Sequence, residues 1–165
     1  MFSGDFMRPE VWHALSVHFP IALLSFATIT MLISFFIKEM SRRHWQIAAG
    51  LLLFAGCLTA WISIYSGNVA DGFVARKICD PTILKDHEIA GQTMTWLFTA
   101  ATLFYIVFFT KAINEQLRKF SIYIAFLLML TGTGYLVYTG HLGASLVYEQ
   151  GAGVKNHSVD CEEYE

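Results

Sequence analysis

The stretch VWHALSVHFPIALLSFATITMLISFFI, residues Val11–Ile37, contains no Asp, Glu, Lys or Arg. It is longer than the roughly 20 residues that a helix needs to cross the hydrocarbon core of a bilayer. Three further stretches have the same character: Trp45–Ala70, Ile89–Thr110 and Phe120–Tyr148. A spanning helix satisfies its own backbone polar groups, which lipid cannot do. The sequence therefore predicts an all-α integral membrane protein with four spanning helices.

The composition supports this prediction. Of 165 residues, 55% are hydrophobic, which is more than an ordinary soluble domain contains. A soluble helical bundle would need charged outer faces, and these stretches have none. The N-terminus MFSGDFMRPE lacks a basic leader, and the first apolar stretch is too long for the core of a signal peptide. We therefore expect no cleavable signal peptide, and nothing in the composition points to nucleic acid as a partner.

The charges predict how the helices are oriented. The short loops Lys38–His44 and Lys111–Lys119 hold six Lys and Arg against two Glu, whereas the other segments hold five basic and eleven acidic residues. By the positive-inside rule both short loops are cytoplasmic. Loops this short favour an up-down-up-down four-helix bundle. We expect a multi-pass membrane protein, N-out and C-out, with a bundle over residues 1–154 and an acidic extracytoplasmic tail over 155–165.

Local signals give provisional helix bounds. Helix 1 is expected from Arg8 to Lys38, with Pro20 kinking it just below His18. Helix 2 is expected from Arg43 to Ser66 with Gly67 as its C-terminal cap, followed by a loop over Asn68–Leu84. Asp86 is the expected N-terminal cap of helix 3, which ends near Ala112. Helix 4 is expected from Lys119 to beyond His141.

Four histidines mark the candidate site: His13, His18, His87 and His141. Counted from the last cytoplasmic charge of each helix, they lie within five residues of one another in depth, or about 7–8 Å of helix rise. Imidazole is rare at membrane depth and usually functional there. The set is typical of haem or metal ligands. We expect one or two haem b groups, with copper or zinc on the same residues as the alternative.

The pairing of these ligands is open. Five residues turn a helix by about 140°, so His13 and His18 cannot both point at one ion. Two haems would pair His18 with His141 and His13 with His87; a single haem would use His18 with His87 or His141. Helix 2 also carries a stripe of small residues, which either makes room for a macrocycle or serves close helix packing: Gly56, Ala60, Ser63 and Gly67.

The cysteines fit the same placement. Cys57 lies within helix 2, where a free thiol acts as a small apolar side chain. Cys79 and Cys161 both fall on the outer side, where a disulfide between them is an open alternative, since sequence alone does not show proximity. The motif C-x-x-C-H is absent, so covalent c-type haem attachment is not indicated.

Three motifs resemble a known bacterial family: WHALSVHFPIALL in helix 1, DHEIAG at the start of helix 3, and GHLGASLVYEQGAGV at the end of helix 4. They are similar to the inner-membrane family catalogued as domain of unknown function 2231, over residues 11–154. Members are often fused to c-type cytochrome domains or found beside them, so the resemblance implies a four-helix domain in a redox setting. It places His13, His18 and His87 on motif positions. His141 departs from the family's YLGG-type pattern.

These observations favour a small membrane b-type cytochrome. It would transfer electrons at the periplasmic face, between the quinol pool or another respiratory subunit and a periplasmic c-type cytochrome. The cytoplasmic half contains no histidine pair, so the chain alone should not carry electrons across the bilayer. The alternatives are a copper- or zinc-binding membrane protein and a structural or anchor subunit of a complex or homo-oligomer. An electron-transfer protein or subunit is favoured over a stand-alone enzyme, because no catalytic signature is present.

Overall fold

A computed structural model describes residues 8–110 and 114–154. The elements are five α-helices: α1 Pro9–Ser16, α2 His18–Phe36, α3 Glu39–Val74, α4 Pro81–Phe109 and α5 Glu115–Tyr148. Taking α1 and α2 as one nearly continuous unit, four helices are long and apolar enough to cross a membrane. The prediction of an all-α protein with four long apolar helices is confirmed for the described residues.

The first apolar helix is divided between Ser16 and His18. Val17 keeps right-handed helical angles (φ −64°, ψ −23°), and its backbone N–H still bonds to the carbonyl of His13. The cause is Pro20, which has no N–H for the carbonyl of Ser16 and whose ring collides with that carbonyl. Pro20 therefore accounts for the interruption, which lies at Val17, one turn before the proline and on the other side of His18 from the predicted kink.

The predicted boundaries around the loop over Asn68–Leu84 are wrong. α3 continues to Val74, so Gly67 lies inside the helix instead of capping it, and the connection to α4 is only residues 75–80. The longer helix is stabilised because Ala70, only 4% exposed, still packs against the bundle. Polar residues such as Asn68 continue the helix, because hydrogen bonding along the backbone does not require apolar side chains.

α4 begins at Pro81, five residues before the predicted cap Asp86. Asp80 is the actual N-cap: its Oδ1 accepts hydrogen bonds from the backbone N–H of Thr82 at 2.9 Å and from the Thr82 hydroxyl at 2.6 Å. These bonds favour the carboxylate and lower the pKa of Asp80. An Asp followed by Pro is the stronger start signal, since Pro is preorganised for the first helical position. α5 likewise begins a turn before Lys119, behind an Asn114 cap.

In the bundle, α1 and α2 pack along α3. Helix α3 packs against α4, α4 packs along α5, and α5 packs back against α2. Large side chains fill the centre, and five of them are fully buried: Phe98, Leu24, Met31, Leu53 and Met129. The outside is equally apolar, with Phe36 82% and Leu51 68% exposed. In water such a surface would aggregate. In lipid it is the expected outer surface of a spanning bundle.

Glycine sets the distance between α4 and α5. A Cβ built on Gly132 would lie 2.9 Å from Cε2 of Phe98, a ring that is itself fully buried. Gly134, two residues further along α5, has no heavy atom within 4 Å of such a Cβ among the described residues. Only the first of these glycines is therefore required by packing.

We expect Gly132→Ala to destabilise the bundle by about 1–3 kcal/mol, because Phe98 has no free volume into which it can move. Gly134→Ala is the matched control and should leave stability unchanged or raise it by up to about 1 kcal/mol through helix propensity. Thermal unfolding in a mild detergent measures both. Equal stability of the two variants would contradict the packing of Phe98 on Gly132.

Candidate functional site

Two of the four histidines meet between helices. His13 on α1 and His87 on α4 have ring centroids 6.2 Å apart, and their ring planes are inclined at 86°. Both side chains are half-buried. The two residues are far apart in sequence, so packing of the bundle alone creates this pair.

The hydrogen bonds of His13 define which of its nitrogens carries the proton. Nδ1 of His13 lies 3.1 Å from Oγ of Ser66, and the Ser66 hydroxyl donates to the carbonyl of Ser63 at 2.9 Å. A hydroxyl has one proton to donate. With that proton on the Ser63 carbonyl, Nδ1–H of His13 donates to Oγ of Ser66. Nε2 of His13 then carries a lone pair.

A cluster of three serines holds α1 on α3 beside His13. Oγ of Ser16 lies 2.9 Å from Oγ of Ser66, and the Ser63 hydroxyl donates to Oγ of Ser16 at 3.2 Å. Ser16 also contacts the carbonyl of His13 at 3.0 Å. Such small hydroxyls let two helices approach closely and satisfy one another's polar groups at membrane depth. The serine cluster therefore fixes the backbone position of His13 as well as its ring.

His87 is held by α5 in a similar way. Nδ1 of His87 lies 3.0 Å from the backbone carbonyl oxygen of Thr139. A carbonyl only accepts, so Nδ1 of His87 carries the proton and donates it. Nε2 of His87 is left with a lone pair. Among the described residues, neither His13 nor His87 uses its Nε2 in a hydrogen bond or ion pair.

Glycines give both imidazoles room. A Cβ on Gly67 of α3 would lie 3.1 Å from Cε1 of His13, and one on Gly143 of α5 would lie 3.2 Å from Cε1 of His87. Both distances are tighter than ordinary van der Waals contact. Each imidazole therefore packs on a glycine of a neighbouring helix. The same helix supplies the hydrogen-bond acceptor for Nδ1: Ser66 of α3 for His13 and the Thr139 carbonyl of α5 for His87.

The hydrogen bonds of the two imidazoles are of the kind that ligating histidines make. A ligating histidine usually donates its second ring N–H to a carbonyl, carboxylate or hydroxyl, which fixes the tautomer and the ring orientation. His13 and His87 both satisfy that requirement before any ligand binds. Both Nε2 lone pairs remain available to a metal or to a hydrogen-bond donor.

The other predicted residues lie elsewhere. His18 and His141 are exposed and do not belong to the His13–His87 pair. In residues 8–110 and 114–154 no group of three or more His, Cys, Asp or Glu is placed to hold a metal ion. Cys79 is exposed, and Cys161 lies outside the described residues, so the disulfide stays a prediction. Cys57 is buried as predicted, with Sγ 3.3 Å from Oγ1 of Thr99.

Several residues of the site escape sequence reasoning. The small-residue stripe includes Ser63 and Gly67, but nothing in its spacing identifies them as neighbours of His13. Ser16, Ser66 and Gly143 carry no motif of their own. The sequence offers only a weak signal for these neighbours: serines and glycines occur at the same level along the helices as the histidines. The Thr139 carbonyl is a backbone group and has no sequence signature.

The hydrogen bonds predict the tautomers of the metal-free protein. In ¹⁵N NMR spectra of histidine-labelled protein, His13 and His87 should both show protonated Nδ1 and unprotonated Nε2. Ser66→Ala removes the acceptor for His13, so His13 should become a mixture of tautomers while His87 stays unchanged. Protonated Nε2 on both residues of the wild type would contradict these assignments.

The glycine contacts predict a second effect on the same spectra. Gly143→Ala should displace the His87 ring by a few tenths of an ångström and shift its side-chain ¹⁵N resonances, because the new methyl group meets Cε1. Gly140→Ala, one turn earlier with no heavy atom within 4 Å among the described residues, is the control. Identical spectra for the two variants would show that His87 does not lie on Gly143.

Comparison with known proteins agrees with this architecture. A family profile described as "Predicted membrane protein (DUF2231)" matches residues 10–156, a range that contains His13, His87 and the helices that hold them. No curated protein and no solved structure matches the chain. The match covers most of the 165 residues, so the resemblance seen in the three motifs is confirmed. The chain belongs to the DUF2231 family of predicted membrane proteins.

Proposed function

We propose that this protein is a small membrane b-type cytochrome in which His13 and His87 are the axial ligands of a haem. The observation that carries the proposal is the pair itself: two imidazoles from different helices lie 6.2 Å apart between ring centroids, each with Nδ1 hydrogen-bonded. Imidazole is rare at membrane depth and usually functional there, which favours a ligand role for the pair.

The spacing of the rings is compatible with a shared ion, although T-shaped aromatic packing covers the same range of distances. A metal–nitrogen bond to imidazole is about 2.0–2.1 Å, and the ring centre lies about 1 Å beyond the nitrogen. Two imidazoles on opposite sides of one ion therefore place their centroids about 6 Å apart. The separation between His13 and His87 is 6.2 Å.

The number of ligands favours haem over zinc or another free ion. Structural zinc takes four protein ligands, and catalytic zinc three. His13 and His87 are two, and no third His, Cys, Asp or Glu joins them among the described residues. Haem needs only two axial ligands from the protein, since the porphyrin supplies the other four. Copper held by two imidazoles is the remaining metal alternative.

The protein's own residues would tune such a centre. Bound haem iron supplies one-electron transfer. Ser66 and the Thr139 carbonyl hold the two imidazoles in the ligating tautomer, and a strong acceptor on Nδ1–H raises the basicity of the ligand. The proposed pairing leaves His18 and His141 free, so a second haem between them stays a prediction from the sequence.

We infer an up-down-up-down topology from the order of contacts. Gln46 of α3 contacts Tyr105 of α4, whereas Cys57, further along α3, contacts Thr99, which is earlier in α4. The same reversed order relates α1 and α2 to α3, and α4 to α5. With the positive-inside rule, this supports an inner-membrane protein with both termini outside.

This orientation would place the histidine pair near the outer face. The proposed electron donor is then the quinol pool or another respiratory subunit, and the proposed acceptor is a periplasmic c-type cytochrome. No second histidine pair lies toward the basic loops, where His44 is the sole histidine of the described residues. Electron transfer would therefore be confined to the outer half of the membrane.

Reduced-minus-oxidised visible spectra, with pyridine haemochrome quantitation, test the proposal on detergent-purified protein expressed with ample haem. Wild type should show b-type α and Soret bands at about one haem per chain. His13→Ala and His87→Ala should each abolish the bands, because one imidazole cannot hold a six-coordinate haem. His18→Ala and His141→Ala are matched controls and should retain them.

Circular dichroism of each variant separates loss of ligand from loss of fold. Loss of the bands in His18→Ala with retention in His13→Ala would favour the alternative pairing through His18. A wild type without porphyrin absorbance would reject the cytochrome. Metal analysis then decides between bound copper and a structural or anchor subunit.

A further inference from the structure

The end of the bundle opposite the histidine pair carries an aromatic layer where the four long helices meet. Phe35 of α2 stacks on Tyr123 of α5 at 5.6 Å between ring centroids. The hydroxyl of Tyr105 on α4 donates to the carbonyl of Gln46 on α3. Phe109 lies 5.0 Å from Tyr105 at the end of α4. These contacts show which residues of neighbouring helices lie at the same level along the bundle.

Two arginines lie just beyond the aromatic layer. The guanidinium of Arg118 sits 5.7 Å from the ring centroid of Phe108. Arg42 lies one turn before Gln46 on α3, and its Nη2 donates to the carbonyl of Ile37 at 3.2 Å. Because α3 and α4 run in opposite directions here, Arg42 is level with the end of α4, beside which Arg118 lies.

Among the described residues, no carboxylate pairs with the charge of either arginine, and one donor of Arg42 has no acceptor. Nε of Arg42 is buried and has no hydrogen-bond partner among the described residues. Of the carboxylates in the described ranges, none forms a salt bridge with Arg42 or Arg118. A buried donor without an acceptor is costly, more so when the group is charged. The described residues therefore leave the guanidinium charge of Arg42 without an anionic partner.

The surroundings indicate what that partner is. This end holds an excess of positive charge: Lys38, Arg42, Arg43, Arg118 and Lys119 against Glu39 and Glu115, of which Glu115 already pairs with Lys119 at 2.7 Å. Next to these cations the outer surface is strongly apolar, with Met40 91%, Phe36 82% and Phe120 61% exposed. The complementary molecule has an anionic head and hydrocarbon chains.

We propose that the basic end of the bundle binds the phosphates of anionic phospholipids through the guanidinium groups of Arg42 and Arg118, with the acyl chains along the apolar surface. The guanidinium fork matches the geometry of phosphate oxygens and can bond two of them at once. Phosphatidylcholine carries the same phosphate with a compensating cation, so the excess of positive charge selects lipids of net negative charge. This site is independent of the histidine pair.

Native mass spectrometry of protein released from nanodiscs of equal parts phosphatidylcholine and phosphatidylglycerol tests the site. Wild type should retain phosphatidylglycerol preferentially. The double variant Arg42→Gln/Arg118→Gln should lose that preference about tenfold or more, since each basic residue near an anionic lipid is worth about fivefold. Lys77→Gln/Lys85→Gln removes two exposed cations near the other end of the bundle and should change nothing.

Two further experiments separate charge from guanidinium geometry, and lipid from free phosphate. Arg42→Lys keeps the charge but loses the planar fork, so retention should fall only in part. Inorganic phosphate added to phosphatidylcholine nanodiscs should not raise the unfolding temperature, whereas phosphatidylglycerol should; an equal rise would mean a site for free anions. If the Arg42 variants do not fold, Arg118→Gln alone decides. Equal retention in wild type and in the folded arginine variants, or an equal loss in the lysine control, overturns the proposal.

Discussion

Hydrogen bonding without water is the constraint on which this structure depends. In the hydrocarbon core a donor or acceptor must find its partner within the protein. The hydroxyls of Ser16, Ser63 and Ser66 bond to one another and to His13. The Thr139 carbonyl, while part of α5, also accepts from His87. Each of these bonds joins helices that are distant in sequence, and together they fix the position of the proposed site.

Close approach makes those bonds feasible. Gly67 and Gly143 leave space for the two imidazoles, while Gly132 lets the buried ring of Phe98 lie against α5. Lipid provides no hydrophobic force that drives helices together, so contact between small residues and interhelical hydrogen bonds must supply the stabilisation. The glycines that touch a neighbour therefore differ in role from Gly134 and Gly140, which face open space among the described residues.

The two ends of the bundle differ in chemistry. At the histidine end, the polar side chains form hydrogen bonds within the protein, and the Nε2 lone pairs of His13 and His87 remain available. The basic end leaves the charges of Arg42 and Arg118 without a carboxylate partner among the described residues, beside exposed apolar side chains. The first arrangement suits a resident ligand held by preorganised groups, and the second suits an exchangeable molecule from the surrounding membrane. Both depend on the reversed order of contacts between neighbouring helices, which brings residues far apart in sequence to one level.

The sequence by itself determined the class of protein, since four uncharged stretches longer than a bilayer's span have few other stable solutions. It also determined the candidate histidines, because imidazole stands out among apolar residues. The ends of the helices were harder to predict from the sequence. Asp80 and Pro81 compete with Asp86 as start signals for α4, and α3 continues through polar residues after Ser66.

Only the tertiary structure decided that His13 faces His87, which depth counting left as one pairing among several. Depth fixes a residue's position along its helix, but the rotation of that helix about its axis is set by its neighbours. Here the rotation is fixed by hydroxyls on α3 and a carbonyl on α5, contacts between distant segments that have no local signature.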